Sequence, residues 1–271
     1  MTDLKYSTLA AILVFSGLAF AADTVKSAPA FTPAQESRIG EISKEYLLAH
    51  PEILVEVSQK LQALQQEQRI QTMTASVLQN QAALLQDKDS PSYGPADARV
   101  TVIEFFDYQC VYCARLAPEL DKVIKANPDV RFVFKEWPIF GTRWENSALA
   151  AKTGLQIWKQ KGGEAYLKYH HDLYATGHNE GKLTADDIRT GAKAVGFDAK
   201  TALDVQATLD NTNILAQQLG LTGTPALVVM PSTGANAQNV IVLPGMAGAE
   251  VIQVAVQKSA DNKNSMPESK K

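Results

Sequence analysis

The sequence predicts an α/β fold, a small sheet interrupted by an all-helical insertion and preceded by an extended N-terminal helical region. Three observations carry that expectation. Strand-like runs come in two groups, residues 100–106 with 129–137 and residues 226–230 with 240–243. Between the groups, residues 145–219 read as helices alone. Ahead of them, residues 32–86 place apolar side chains at helical intervals on an otherwise polar chain.

The first residues have the layout of an export signal. Lys5 and the terminal amine outweigh Asp3, an apolar run extends from Leu9 to Phe20, and Ala19 and Ala21 are the small residues that set cleavage before Ala22. The run is about a dozen residues, against the roughly 20 a spanning helix needs. Residues 1–21 are therefore expected to be removed, leaving no spanning segment. Residues 22–31 read as a flexible leader.

Thr32 starts a helix, with a cap hydroxyl, Pro33 at the first helical position and Gln35 three residues after the cap. Ile39, Ile42, Tyr46 and Leu47 recur along it until His50 and Pro51 break it. A second helix is expected from Pro51 to about Gln86, on the order of 50 Å at 1.5 Å per residue. Leu54, Val57, Leu61 and Leu64 form its stripe, the stretch 65–69 (QQEQR) holds no core residue, and Ile70, Met73 and Val77 resume two positions out of register. One stripe on a long polar helix has little within its own chain to bury against. Residues 33–86 are thus expected to self-associate through helix pairing, docking on the chain's own domain being the plainer alternative.

Residues 87–99 read as a linker, broken by Pro91, Gly94 and Pro95. The run VTVIEFF at 100–106 is a buried strand. Residues 110–127 form a helix with Leu116, Leu120, Val123 and Ile124 inward and a kink near Pro118. In the strand 129–137, Val130, Phe132 and Phe134 share a side. Helices are expected over 145–160, 163–175, 185–195 and 199–219, with Thr184 and Asp187 capping the third and Gly196 ending it. Strands 226–230 and 240–243 flank a polar loop, a helix covers 248–257, and the tail 259–271 is expected to be disordered. In domain terms, 32–86 is the N-terminal helical oligomerisation region, 87–99 the linker, 100–144 with 221–258 the sheet domain and 145–220 the helical insertion.

Composition narrows the function. A net charge of −3 argues against a nucleic-acid binder, whose surface must neutralise many phosphates. With two Cys in the chain, neither an all-Cys zinc site nor a multi-bridge disulfide scaffold is possible.

Those two cysteines, Cys110 and Cys113, stand between a strand and a helix. If the helix begins near Cys110, its first-turn N–H groups favour thiolate over thiol. Cys113, one turn along, can attack a mixed disulfide and release the partner. The alternatives are a structural disulfide, though so small a loop gains little from closure, and half of an intermolecular metal site. Glu104 is an acid in an otherwise apolar strand. Burying it is costly without work or a partner, and near the thiols it could relay the proton that Cys113 must lose; the alternative is a strand-edge Glu facing water. Thr224 and Pro225 lead into the strand at 226, and spacing alone does not set the isomer of their bond. Asp107 and Tyr108 read as rim residues, Arg115 as tuning the local field, His170 and His171 as surface or packing residues, and the lysines at 258, 263, 270 and 271 as a solvated end.

The segment 104–113 (EFFDYQCVYC) resembles the active-site segment of the DsbA-like thioredoxin-fold proteins, and 223–226 (GTPA) is similar to their cis-proline loop. The segment 134–141 (FKEWPIFG) resembles the signature of a subgroup that includes the copper-sensitivity suppressor ScsC and outer-membrane-associated DsbA-like antigens. Residues 46–52 (YLLAHPE) resemble that subgroup's N-terminal extension, used there for self-association. The likeness covers about residues 36–257. It implies a thioredoxin fold with an inserted all-helical domain, Cys110 as nucleophile, Cys113 as resolving thiol and Glu104 as the buried acid. It also implies a cis Pro225, with Thr224 beside the disulfide pairing its backbone with an extended substrate; Tyr112 joins these two as a substrate-binding position. Val111 and Tyr112 stand where DsbA carries Pro-His and ScsC-like proteins Gly-Tyr, so one contributor to a very low thiolate pKa is missing.

The function expected is that of a periplasmic thiol–disulfide oxidoreductase without a cofactor, acting on exported proteins with cysteines and recycled by a membrane redox partner. Association with the outer membrane would be peripheral. Self-association would put several Cys110 sites in one particle, which favours disulfide isomerase work, with oxidase activity beside it. The alternatives are a Cu(I)-binding protein with Cys110 and Cys113 as soft ligands, and a surface-associated structural protein.

Overall fold

The computed structural model describes residues 30–201 and 203–261; the expected export signal, most of the leader and the tail beyond Asp261 lie outside them. The chain divides into two units, Met1–Lys60 and Leu61–Lys271.

In the first unit, α1 (Pro33–Ala49) opens with the expected capping box between Thr32 and Gln35 and with proline in its first turn. It ends at His50, whose N–H donates to the Tyr46 carbonyl, and α2 (Glu52–Gln79) follows. Every described residue up to Lys60 is exposed except the half-buried Ile53.

The second unit is built on a five-stranded sheet in the order β1-β3-β2-β4-β5. The central strand β2 (Val100–Phe106) runs parallel to β3 (Arg131–Glu136) and antiparallel to β4 (Ala226–Pro231). β4 pairs antiparallel with β5 (Ile241–Pro244), and β1 (Ser92–Tyr93) antiparallel with β3. All seven residues of β2 are buried, as a strand covered on both faces must be. Alternation splits its side chains between two cores. Val102 and Phe106 join Phe132, Phe134, Leu227 and Ile252 on one face, while Ile103 and Phe105 join Val133, Val228 and Met230 on the other. The first face is covered by α4 (Val111–Ala126), α6 (Gly163–Ala175) and α9 (Ala249–Ala260), whose buried residues belong to that core. The second is covered by the end of α2, by α3 (Gln81–Leu85) and by α8 (Gln206–Gln218). The insertion also holds α5 (Glu145–Lys161) and α7 (Ala185–Ala194); α7 carries the Thr184–Asp187 capping box and is followed by Gly196 at φ +69°.

Several boundaries differ from expectation. The second helix stops at Gln79, and Asn80 turns the chain into α3. Met73, Val77 and Leu84 are buried in the second core, so beyond the register break this helix docks on its own domain. The free stripe is confined to residues up to Leu64, all of whose apolar members are exposed. The linker contains β1, too short to show any alternation, and is tied down where the buried Lys135 donates to the Ala83 carbonyl and pairs with Asp87 at 2.7 Å. Residues 199–219 are a short 3-10 turn (Ala199–Thr201) and α8, which starts where the Asp204 carboxylate accepts the Gln206 N–H. α4 continues through Pro118. α9 runs past the expected end at 257 because Ser259 is buried, its hydroxyl reaching the carbonyls of Val229 and Asn239; that residue belongs to the core, not to a tail.

Candidate active site

β2 ends at Phe106, and a buried turn delivers the cysteines. The Asp107 carboxylate accepts from the N–H of Gln109 (2.8 Å), the N–H of Phe140 (2.9 Å) and the Ser147 hydroxyl (2.8 Å). Its carbonyl accepts the Cys110 N–H at 3.0 Å. Gln109 is clamped to the loop after α6, its side chain accepting from Gly181 and its carbonyl from Glu180. Asp107, expected at the rim, is therefore a buried brace that fixes the turn. Cys110 occupies the N-cap of α4 with extended backbone (φ −81°, ψ 118°), one residue earlier than a first-turn position but beside the same N–H groups.

Antiparallel pairing brings the second half of the site to it. Phe105 lies opposite Ala226, so the residues just before β4 face the end of β2. The Thr224–Pro225 peptide is cis, and the Cys110 thiol donates to the Thr224 carbonyl at 3.3 Å across 114 positions of sequence. Both thiols are free and buried. The Cys113 thiol, hydrogen-bonded to Cys110, is the main reason that Cys110 is held down at about 6; burial opposes this, and Thr224 and the N–H groups of Cys113 and Tyr112 assist. The buried Thr224 hydroxyl has no hydrogen-bond partner. Burial pushes Cys113 well above the usual thiol value, reinforced by that same hydrogen bond.

Glu104 lies behind the pair, buried, both carboxylate oxygens without a partner. Burial, then the charge of Cys110, raises it to about 8. The His170 Nε2 lies 3.8 Å from Glu104 Oε2 and is equally without a hydrogen-bond partner. The His170 ring packs among Phe106, Phe134 and Tyr174, 4.9 to 5.1 Å between centroids, and burial lowers it to about 3, so it is neutral. A second buried acid, Glu136, accepts from the Tyr166 hydroxyl at 2.8 Å and the Tyr108 hydroxyl at 3.1 Å, with burial holding it well above the carboxylate range. Tyr108, too, is thus interior rather than at the rim.

Cys110, Cys113, Glu104, Thr224 and Pro225 therefore converge, while Tyr112 stands at the exposed lip with Arg115 over its ring at 5.5 Å. Of the histidines, His170 is buried and His171 is exposed and paired with Asp121 at 2.7 Å. Glu136 and the contact of His170 with Glu104 are not evident from the sequence, because Glu136 ends a strand that also carries Arg131 and Lys135 and so does not stand out as Glu104 does. Beside Thr224 and Pro225 lies a cleft of about 200 Å³. A larger one of about 540 Å³, near Tyr93 and Gly163, includes none of these residues. No cluster of three or more His, Cys, Asp or Glu placed to hold a metal occurs among the described residues, nor is any described helix long and apolar enough to cross a membrane.

Comparison with known proteins agrees with this geometry. The family described as DSBA-like thioredoxin domain matches residues 101–257, and that described as Copper resistance protein ScsC N-terminal domain matches residues 35–68. Among solved structures, the chain is similar to BcfH of Salmonella enterica Typhimurium, with 42% identity, a TM-score of 0.71, and coverage of 84% of this chain and 96% of that one. It is also similar to Proteus mirabilis ScsC in a transitional conformation, at 29% identity and TM-score 0.58, covering 85% and 97%. A curated relative, Disulfide bond formation protein D of Bacillus subtilis, is 32% identical over 91 residues, which span 32% of this chain and 39% of that protein's length.

Proposed function

The chain belongs to the DSBA-like thioredoxin family of thiol–disulfide oxidoreductases, and from that premise we propose that it exchanges disulfides with exported, cysteine-bearing proteins in the periplasm. Cys110 is the nucleophile, Cys113 the resolving thiol and Glu104 the proton carrier between Cys113 and water. The observation that carries this reading is the Cys110 thiol set against the Thr224 carbonyl with Cys113 bonded behind it.

In the reducing direction, the Cys110 thiolate attacks one sulfur of a substrate disulfide, and that bond breaks as a substrate thiolate leaves. With the Cys110 charge gone into the mixed disulfide, Glu104 gives up its own proton to water and, as a carboxylate, takes the proton of Cys113, which attacks Cys110 Sγ, closing the Cys110–Cys113 disulfide and expelling the second substrate thiolate. Two electrons pass from the protein to the substrate. Oxidation of a dithiol runs the same steps backward, and Cys110 is then the leaving group. At about 6 it is about nine-tenths ionised at neutral pH, which makes it a good leaving thiolate and favours the reduced protein. Disulfide donation is therefore supported even without a histidine between the cysteines. A substrate strand pairs with Thr224 and Pro225, and Tyr112 bounds it at the lip.

We place isomerase work first among the activities. Phe31, Ile39, Ile42, Tyr46, Leu54 and Val57 are exposed in the first unit, which supports self-association and several Cys110 sites per particle. Recycling is by a membrane redox partner. Copper tolerance is a second reading, favoured by the family name matched at residues 35–68 and by two thiols of the kind that suits Cu(I).

The test is the reduction potential of the Cys110–Cys113 couple in glutathione buffers. A value near −120 mV marks a disulfide donor, and one at or below about −200 mV marks a protein kept reduced for isomerisation or reduction. Failure to exchange, together with tight uptake of Cu(I) by the dithiol, would replace the enzymatic reading with the copper one.

A further inference from the structure

We infer that Gln66 and Arg69, from the part of α2 that holds no core residue, form one wall of the substrate groove, and that Arg69 selects substrates with an acidic side chain near the reacting cysteine. This deepens the thiol-exchange reading and rests on it.

The interruption in the apolar stripe of α2 is otherwise unexplained. It separates an exposed stripe from the buried Met73 and Val77, and its polar side chains are free to serve something else. The structure brings two of them to the cleft beside the cis-proline loop, with Thr222, Thr224, Pro225 and Gly245 among the residues opposite. Met73 lies four positions beyond Arg69, on the same helix face, and shares its core with Leu221, so the helix is fixed at this point. The Arg69 guanidinium donates to the Thr222 hydroxyl across 153 positions of sequence. That bond occupies one of five N–H groups.

Charge and distance then define the ligand. Among the described residues, Arg69 is the sole charged one lining the cleft, and no carboxylate lines it. A guanidinium with spare donors in a groove is a carboxylate receptor. Thr222 precedes Thr224 by two residues, and the Thr224 carbonyl contacts Cys110 Sγ. An extended substrate advances about 3.3 Å per residue, so a chain paired with this loop brings the residue about two positions from its own cysteine to Arg69. The protein as a whole carries a net charge of −3, which would on its own favour basic peptides. A preference for acidic ones would have to come from a local group.

The experiment uses the reduced full-length protein and C-terminally amidated peptides, each with one cysteine blocked as a neutral mercaptoethanol disulfide. Asp, Asn or Lys stands at −2 or at +2 from the cysteine. At low salt the exchange rate constant is expected to be about tenfold higher for Asp than for Lys at one of the two positions, and the ratio to shrink at high salt. Arg69→Glu is expected to invert the ratio, Arg69→Gln to abolish it and Arg69→Lys to keep part of it. An Asp-to-Lys ratio that Arg69→Glu leaves within about twofold at both positions would overturn the inference while exchange itself stands. Failure of the unsubstituted protein to react with any peptide would overturn thiol exchange, and the inference with it.

Discussion

Glu104 is the residue whose placement asks most of the fold. A carboxyl with neither oxygen hydrogen-bonded, inside a strand buried on both faces, stays neutral to about pH 8. The unfolded chain loses that proton near 4.5. The folded state therefore binds the extra proton between pH 4.5 and 8, and stability falls as pH rises through that window, by up to roughly 5 kcal/mol. Cys110 has the opposite sign. Its value of about 6 lies below the ordinary 9, so the reduced protein gains stability from pH 6 to 9. Urea unfolding of the oxidised protein removes the thiol contribution, and Glu104→Gln is expected to reduce the decline between pH 5 and 8, leaving the part that the buried Glu136 and Asp107 contribute. The same substitution should slow the Cys113 step about 100-fold, so that mixed disulfides with substrate accumulate; normal release would leave Glu104 without its proton role. Alkylation of Cys110 by iodoacetamide should rise with a midpoint near pH 6. A midpoint near 8.5 or above would mean that the hydrogen bond from Cys113 does not hold the thiolate. At this scale the sequence was legible where chemistry contradicts its surroundings. An acid within VTVIEFF and a pair of cysteines at a strand–helix junction both stand out. Asp107 and Tyr108 do not, because what makes them interior is the insertion, through Ser147 and Tyr174, and neither does His170, a residue of the insertion that is buried against Phe106 and Phe134 of the sheet.

Between residues and the whole chain, the elements show which patterns carry information by themselves. Buried strands such as β2 and β4 are nearly continuous apolar runs and are readable, as are α1 and α7, which announce themselves with capping boxes. β1 was not readable, since two residues have no period and form a strand through pairing with β3. The contact of Cys110 with Thr224 is equally invisible to local spacing. It follows from the antiparallel register of β2 with β4, and the resemblance to DsbA-like proteins supplied it in advance. α2 is the instructive case, because one helix serves two purposes and its register break marks the change. Met73→Ala should therefore destabilise the second unit by about 2–5 kcal/mol, read as a lower urea midpoint with an unchanged slope. Loss within about 0.5 kcal/mol, the range of surface changes, would mean that this part of the helix is not anchored in the core.

For the molecule as a whole, the decisive feature is a set of apolar side chains that no other described residue covers. Ile39, Ile42, Tyr46 and Leu47 on α1, with Leu54, Val57, Leu61 and Leu64 on α2, are each at least 38% exposed. Eight such residues at helical spacing would be a liability in an exported monomer. In a self-associated particle they become the seam, and several thiol pairs then act on one substrate. A disulfide isomerase needs to hold a misfolded chain through repeated rounds of exchange, whereas exchange with a short peptide needs one thiol pair. The two activities should therefore separate. Leu54→Glu combined with Leu61→Glu is expected to reduce the light-scattering mass to that of one chain. It should lower the recovery of a scrambled disulfide protein severalfold, with peptide exchange within about twofold of the parent. A variant that becomes monomeric yet unscrambles at full rate would show that isomerisation needs no neighbouring site, and a mass unchanged by two buried charges would show that the stripe is not the seam.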